Sequence, residues 1–361
     1  MTSSSFSRLR GCWLAALLAG AYVLCISMPA ARGADDVWQS PPAKAAGGPI
    51  VFRAVMVEDQ DEQPTAAGKA AAEQLKAAMG EVPLKAVIVS ECFEDQENKQ
   101  ALLAGVCSVL PSDLVFGQAT YGSFTQAGCG GFDTVCLLGI GGDGIGVSAA
   151  LVKDLGVAKL TFEEHEAQIK QRLHDAGGKL AGKLARGERD RLAILLADAH
   201  SPKNQFLVEG VQQLLGGGFP ITGGSANKNA GQTFVYYRGQ THSDSAVALL
   251  LSGDFRVSLT GRKAMDNDQV IATAREAAAQ SLAASAGKPQ AVLAFNCAGR
   301  RGKLKRPADE LEAIQAALGK ELPLFGCYCA GEVGPLDAAE KDPKVLSGGS
   351  GWHVMFTVIG R

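Results

Sequence analysis

Ala291-Val-Leu-Ala-Phe-Asn-Cys-Ala-Gly-Arg300 reads as a buried strand that ends in a thiol, a small flexible step and a guanidinium. A short run of apolar and β-favouring residues bounded by such a step is a strand covered on both faces. An Ala-rich segment, 268–284, precedes it with apolar residues at helical spacing, and a second helical segment, 308–318, follows. Next comes Leu324-Phe325-Gly326-Cys327-Tyr328-Cys329-Ala330-Gly331-Glu332-Val333-Gly334. The two tracts bring Cys297, Arg300 and Glu332 to strand ends, where open α/β sheets place their ligand sites.

Working outward, the same order recurs about every hundred residues. In the first copy, 51–57 and 86–90 are strands, 65–79 and 98–110 are helices, and Phe116-Gly117 opens a glycine tract. In the second, 163–184 is a long helix, 192–197 a strand and 204–215 a helix, followed by Ile221-Thr222-Gly223-Gly224. The third is the segment already read. The expected fold class is α/β, a layered mixed-sheet architecture built from about three βαβα-type repeats. The expected division is a signal peptide at 1–33, a flexible linker at 34–48, a two-repeat α/β region at 49–260 and a third repeat at 261–361.

Arg8 and Arg10 precede an apolar run, 11–28, and then Pro29-Ala30-Ala31-Arg32-Gly33. A basic start, an apolar stretch and small residues before Ala34 fit a bacterial-type export signal with cleavage there. The expected location is therefore periplasmic or secreted, with an uncleaved N-terminal anchor as the alternative. No later segment reads as a membrane span. The net charge of −2 offers no basic surface, so no nucleic-acid partner is expected. Nine cysteines are present. With Cys12 and Cys25 assigned to the leader, an odd number remains, so at least one thiol stays unpaired or pairs between chains.

Gly139, Gly141 and Gly144 fit the dinucleotide pattern GxGxxG after a strand, and Glu163 and Glu164 follow about twenty residues on. The repeat argues otherwise, because it aligns 145–152 with 245–251 and 352–359, all strand-like. Gly141-Gly142-Asp143-Gly144 is accordingly expected as a hairpin turn.

The two C-terminal tracts resemble the FIST family, a sensory module of signal-transduction proteins. The resemblance rests on Cys297-Ala298-Gly299-Arg300 and on Gly326-Cys327-Tyr328-Cys329-Ala330-Gly331-Glu332-Val333. The N-terminal part of that family resembles Pro220-Ile221-Thr222-Gly223-Gly224-Ser225-Ala226 and the strand-like 246–255. The likeness spans about 82–360, with the segment between the two parts shortened. It implies a protein that binds a small molecule, with amino acids or small carboxylates favoured, and a haem-based mode in some members. No output domain is expected in this chain, so a separate partner protein would carry the signal. The ligand-binding residues implied are Cys297, Arg300, Gly326, Tyr328, Gly331, Glu332, Gly223, Gly224 and Ser225.

The chemistry of these residues leaves several readings open. Arg300 offers a fork for a carboxylate, and Glu332 a partner for an ammonium group or for Arg300 itself. Cys297, Cys327 and Cys329 are expected to lie close together, as buried small side chains in preference to a metal site, with one disulfide and a free thiol as the other reading. An enzyme is the less favoured class. It would be a cysteine-dependent hydrolase or transferase using Cys297, with Cys92, Cys297 and His200 around one cavity. No cofactor is expected; if haem binds, His200 or His242 is the ligand.

Overall fold

The computed structural model describes residues 36–44, 48–337 and 340–361. The expected leader lies outside the described residues. Within the segment expected as a linker, β1 (Val37–Gln39) is a strand.

The first unit runs β2 (Val51–Glu58), α1 (Pro64–Met79), β3 (Leu84–Glu91), α2 (Gln96–Cys107), β4 (Val115–Ala119), β5 (Ser123–Thr125), β6 (Gly128–Cys129) and β7 (Thr134–Gly141). The second runs β8 (Ile145–Val152), α3 (Phe162–Lys183), β9 (Asp190–Ala197), α4 (Asn204–Leu215) and β10 (Ile221–Ser225). It continues with β11 (Lys228–Asn229), β12 (Gln232–Thr233), β13 (Val235–Tyr237), β14 (Gln240–His242) and β15 (Ala246–Gly253). The third has β16 (Arg256–Lys263), α5 (Asn267–Ala283), β17 (Pro289–Cys297), the single turn α6 (Ala298–Arg301), α7 (Ala308–Leu318) and β18 (Leu324–Cys329). It closes with β19 (Glu332–Gly334), β20 (Gly348–Ser350) and β21 (His353–Gly360).

Local chemistry explains these elements. Pro64 starts α1, where its missing N–H costs nothing. Asp95 caps α2 by accepting from Asn98 N–H at 2.8 Å. The strands are continuous apolar runs because both faces are covered. Phe52, Ile88, Phe116, Ile194, Leu249, Leu293 and Phe325 put the inner faces of all three sheets into one shared apolar core. The outer faces bear the helix pairs α1–α2, α3–α4 and α5–α7. Among the described residues, no helix is long and apolar enough to cross a membrane.

The three sheets have one plan. In the first, β2, β7 and β3 are antiparallel neighbours and β4 is parallel to β3. The second repeats this with β8, β15, β9 and β10, and the third with β16, β21, β17 and β18. The fifth strand of each sheet comes from another unit. β13 of the second unit pairs with β4, β19 of the third with β10, and β5 of the first with β18. The exchange is cyclic.

Several expectations are corrected. β1 pairs with β8, Ser40 N–H donates to Val147 O at 2.8 Å, and Val147 N–H donates to Ser40 Oγ at 2.9 Å, so this stretch is an edge strand and not a free linker. The Asp-Gly step at 142–144 is no hairpin, since β7 belongs to the first sheet and β8 to the second. It carries the chain from one sheet to the next, and β8 is the opening strand of the second unit. The counterpart of β15 and β21 is therefore β7. A strand where a helix is required also removes the dinucleotide pattern. The expected division at 260/261 falls inside β16, and contacts cross it, leaving one compact unit.

Candidate functional site

The residues singled out by sequence are interior. Arg300 is 0% exposed, and its Nη2 donates to Glu310 Oε1 at 2.7 Å and to Val270 O at 2.8 Å. It ties α6 to α7 and α5. Arg300 and Glu332 thus form neither a zwitterion clamp nor an ion pair. The turn of α6 swings Arg300 towards α7, whereas Glu332 opens the strand lent to the second sheet.

Glu332 is also 0% exposed. Its Oε2 accepts from His353 N–H at 2.9 Å, and its Oε1 has no hydrogen-bond partner. Burial pushes this carboxyl up to about 8, opposed by the His353 N–H and the Cys297 thiol. Burial thus favours its neutral form. Burial likewise pushes the Cys297 thiol up to about 12, and the Glu332 carboxyl adds to that. A thiol held so firmly protonated is a poor nucleophile. Cys327 and Cys329 have their Sγ atoms 3.6 Å apart, and Gln118 Nε2 donates to Cys329 Sγ at 3.2 Å. Cys297 is the register partner of Cys329. The expected proximity is present, and all three thiols are free.

The glycines serve close packing. Gly223 has φ 146, and a Cβ there would lie 1.9 Å from Leu195 O. A Cβ on Gly224 would meet Cys329 Sγ at 2.4 Å, and one on Gly326 the Phe124 ring at 2.0 Å. Gly331 has φ 146 and abuts Ser201 and Asn204. Ser225 Oγ donates to Ala199 O at 2.7 Å. Tyr328 is buried with its ring 5.5 Å from Phe124.

The cleft that Cys92 lines includes neither His200 nor Cys297. Cys92 lines an open cleft, Cys297 faces Glu332, and His200 is bonded through the Ala226 backbone. Burial lowers the His200 pKa, and its Nε2 has no partner. His242 pairs with Val235 on β13 and sets its ring edge-on to Tyr237. Neither histidine is among the residues of the cleft described next. Among the described residues, no group of three or more His, Cys, Asp or Glu is placed to hold a metal ion.

An open cleft of about 350 Å³ lies at the end of β3. Cys92, Phe93 and Glu94 form one side, Tyr121, Phe132 and Asp133 another, and Asn227 to Ala230 the third. The last segment belongs to the β11–β12 hairpin, which the second unit sends over the first. At the matching place the first unit has only 120–122 and the third only 330–331 between the strands. Ala230 and Gly231 have φ 45 and 79, the paired positive values of a two-residue hairpin turn. Asn229 Nδ2 anchors the hairpin base to Phe93 O at 3.0 Å and Thr120 O at 3.3 Å.

Arg301, not Arg300, serves this cleft. Its guanidinium lies 5.4 Å from the Tyr121 ring centre, 5.8 Å from Phe132 and 5.5 Å from Tyr328. It donates to Tyr121 O and, at 3.5 Å, to Gly130 O. Desolvation raises the Asp133 pKa, helped by Asp59, Glu62 and Glu94 and opposed by Lys99, so acids cluster around this wall. Lys228 is exposed and, among the described residues, has no ion-pair partner. Burial pushes the Cys92 thiol up to about 12, assisted by Glu91. Sequence reasoning missed Tyr121, Phe132, Lys228, Asn229 and Arg301. The available signals were the Gly130-Gly131-Phe132 step and the Ala230-Gly231 turn.

The family model of the FIST N domain matches residues 85–272, and that of the FIST C domain matches 242–335. The chain belongs to the FIST family, whose domains are sensory domains that bind small ligands. The two matched ranges overlap, so the N and C parts adjoin directly. Among solved structures, the cyanuric acid hydrolase of A. caulinodans is 10% identical, covers 86% of this chain and 99% of its own, and has a TM-score of 0.43. A second cyanuric acid hydrolase structure, described as evolutionary innovation by structural concatenation, is 12% identical with the same coverages and a TM-score of 0.44. No curated protein matches the chain.

Proposed function

We propose that this FIST protein is an exported sensor that takes a free amino acid or a small carboxylate in the cleft at the end of β3. The observation that carries this reading is the division of charge in the cleft. Glu94 and Asp133 supply an acidic wall, Lys228 supplies an unpaired cation on the hairpin, and Tyr121 and Phe132 form an aromatic wall of the same cleft. A zwitterion satisfies both poles: its ammonium group meets the acids and its carboxylate meets Lys228. The volume suits a small metabolite.

A thermal-shift screen of amino acids and small carboxylates tests it, because a ligand that binds only the folded state raises the melting temperature. We expect hits among amino acids, and loss of those hits in Lys228→Glu with the unliganded melting temperature unchanged. No hit across the set, or hits indifferent to Lys228→Glu, would refute the reading. Export rests on the basic start and the apolar run that follows it; N-terminal sequencing of the mature protein should begin near Ala34, and an intact Met1 would overturn cleavage.

A further inference from the structure

We propose that the ligand of this cleft carries an aromatic ring: an aryl-bearing α-amino acid or carboxylate whose ring packs against Phe132 and Tyr121. The inference rests on the small-ligand reading of the cleft and narrows it.

Phe132 is 59% exposed, one of few large apolar side chains so placed among the described residues. In the cleft wall this ring, with Tyr121 beside it, is open to a ligand. Asp133, the next residue, has φ 54, a left-handed value that is uncommon for a residue with a Cβ. Tyr121 stands edge-on to Phe132, with ring centres 5.5 Å apart and planes at 84°. Two perpendicular rings form a corner that a third ring fills with both stacked and edge contacts.

Arg301 holds that corner still. It is 9% exposed, packs on both rings and donates to the backbone at Tyr121 and Gly130, on either side of the cleft's aromatic wall. Its guanidinium already uses the rings' capacity for a cation. A ligand with a cationic side chain therefore gains no further cation–π contact from the corner. An aliphatic side chain fills the space but forgoes the ring-to-ring contacts.

The test is calorimetric titration of the full chain with L-phenylalanine, L-leucine, L-lysine and 3-phenylpropionate, for the wild type and Phe132→Ala. Phe132 is on the surface, so the variant folds; an unchanged melting temperature verifies this. We expect L-phenylalanine to bind about tenfold tighter than L-leucine, from ring contacts alone. Phe132→Ala should erase the preference for L-phenylalanine. Binding of L-leucine as tight as that of L-phenylalanine, or a preference that survives Phe132→Ala, would overturn the inference and leave the small-ligand reading intact. No binding by any of the four would sink both.

Discussion

Replacing Glu332 with glutamine should stabilise the protein, increasingly so as the pH rises. The carboxyl titrates near 8 in the folded chain against an ordinary value of 4.5. Its folded pKa is raised, so between these values the native state keeps a proton that the unfolded chain has lost. Stability contributed by the proton is complete below about pH 4.5 and is lost as the pH climbs to about 8. Each pH unit in that window costs about 1.4 kcal/mol, which makes up to about 3 kcal/mol at pH 7. Glutamine has the shape of the neutral acid, still accepts from His353 N–H, and does not titrate. Urea unfolding at pH 5, 6, 7 and 8 measures the difference. Other titrating groups are common to both proteins and cancel. The two should differ little at pH 5 and diverge steadily towards pH 8. Parallel curves across that range would refute the argument, because they would mean that Glu332 ionises in the folded chain as it does in the unfolded one.

Arg300→Met leaves Glu310 as a buried charge without its partner and should cost about 3–5 kcal/mol in the same assay; a loss below about 1 kcal/mol would mean that the pair is not desolvated. Native Cys92 and Cys297, both held near 12 by burial, should resist alkylation at pH 7.5 until the protein is unfolded. Rapid labelling of Cys297 in the native protein, read by mass spectrometry, would reopen its candidacy as a nucleophile.

Much of the frame was legible in the sequence because it depends on local periodicity. α4 and α7 fall on the expected residues, and β3, β9 and β17 contain the apolar runs that announced them. The exchanged strands β5, β13 and β19 were not legible. Each is three residues long, and β5 finds its partner about two hundred residues away. Short strands carry too few side chains to show a period. The family motif singled out Arg300, which bonds Glu310 and Val270 in the interior, whereas the neighbouring Arg301 packs on Tyr121 and Phe132. Which of Arg300 and Arg301 turns inward depends on the phase of one helical turn, α6, and one turn has no apolar stripe to fix it. The glycines of the motif have a packing reason, and so does Arg300, so resemblance alone marked residues that hold the interior. The cleft takes Phe132 from a loop and Lys228 from the two-residue strand β11, where pattern is weakest.

The cyclic exchange also sets the order in which the chain can become stable. The first sheet lacks β13 until Tyr237 has been made, the second lacks β19 until Gly334, and the third lacks β21 until Gly360. No third of the polypeptide is a self-sufficient piece, and an excised unit would present a bare sheet edge to its neighbours. Pairings this distant make for slow folding, with a long interval in which the edges stand open. Once closed, the three units hold one another as links in a ring. A backbone nick between two of them should leave the molecule in one piece.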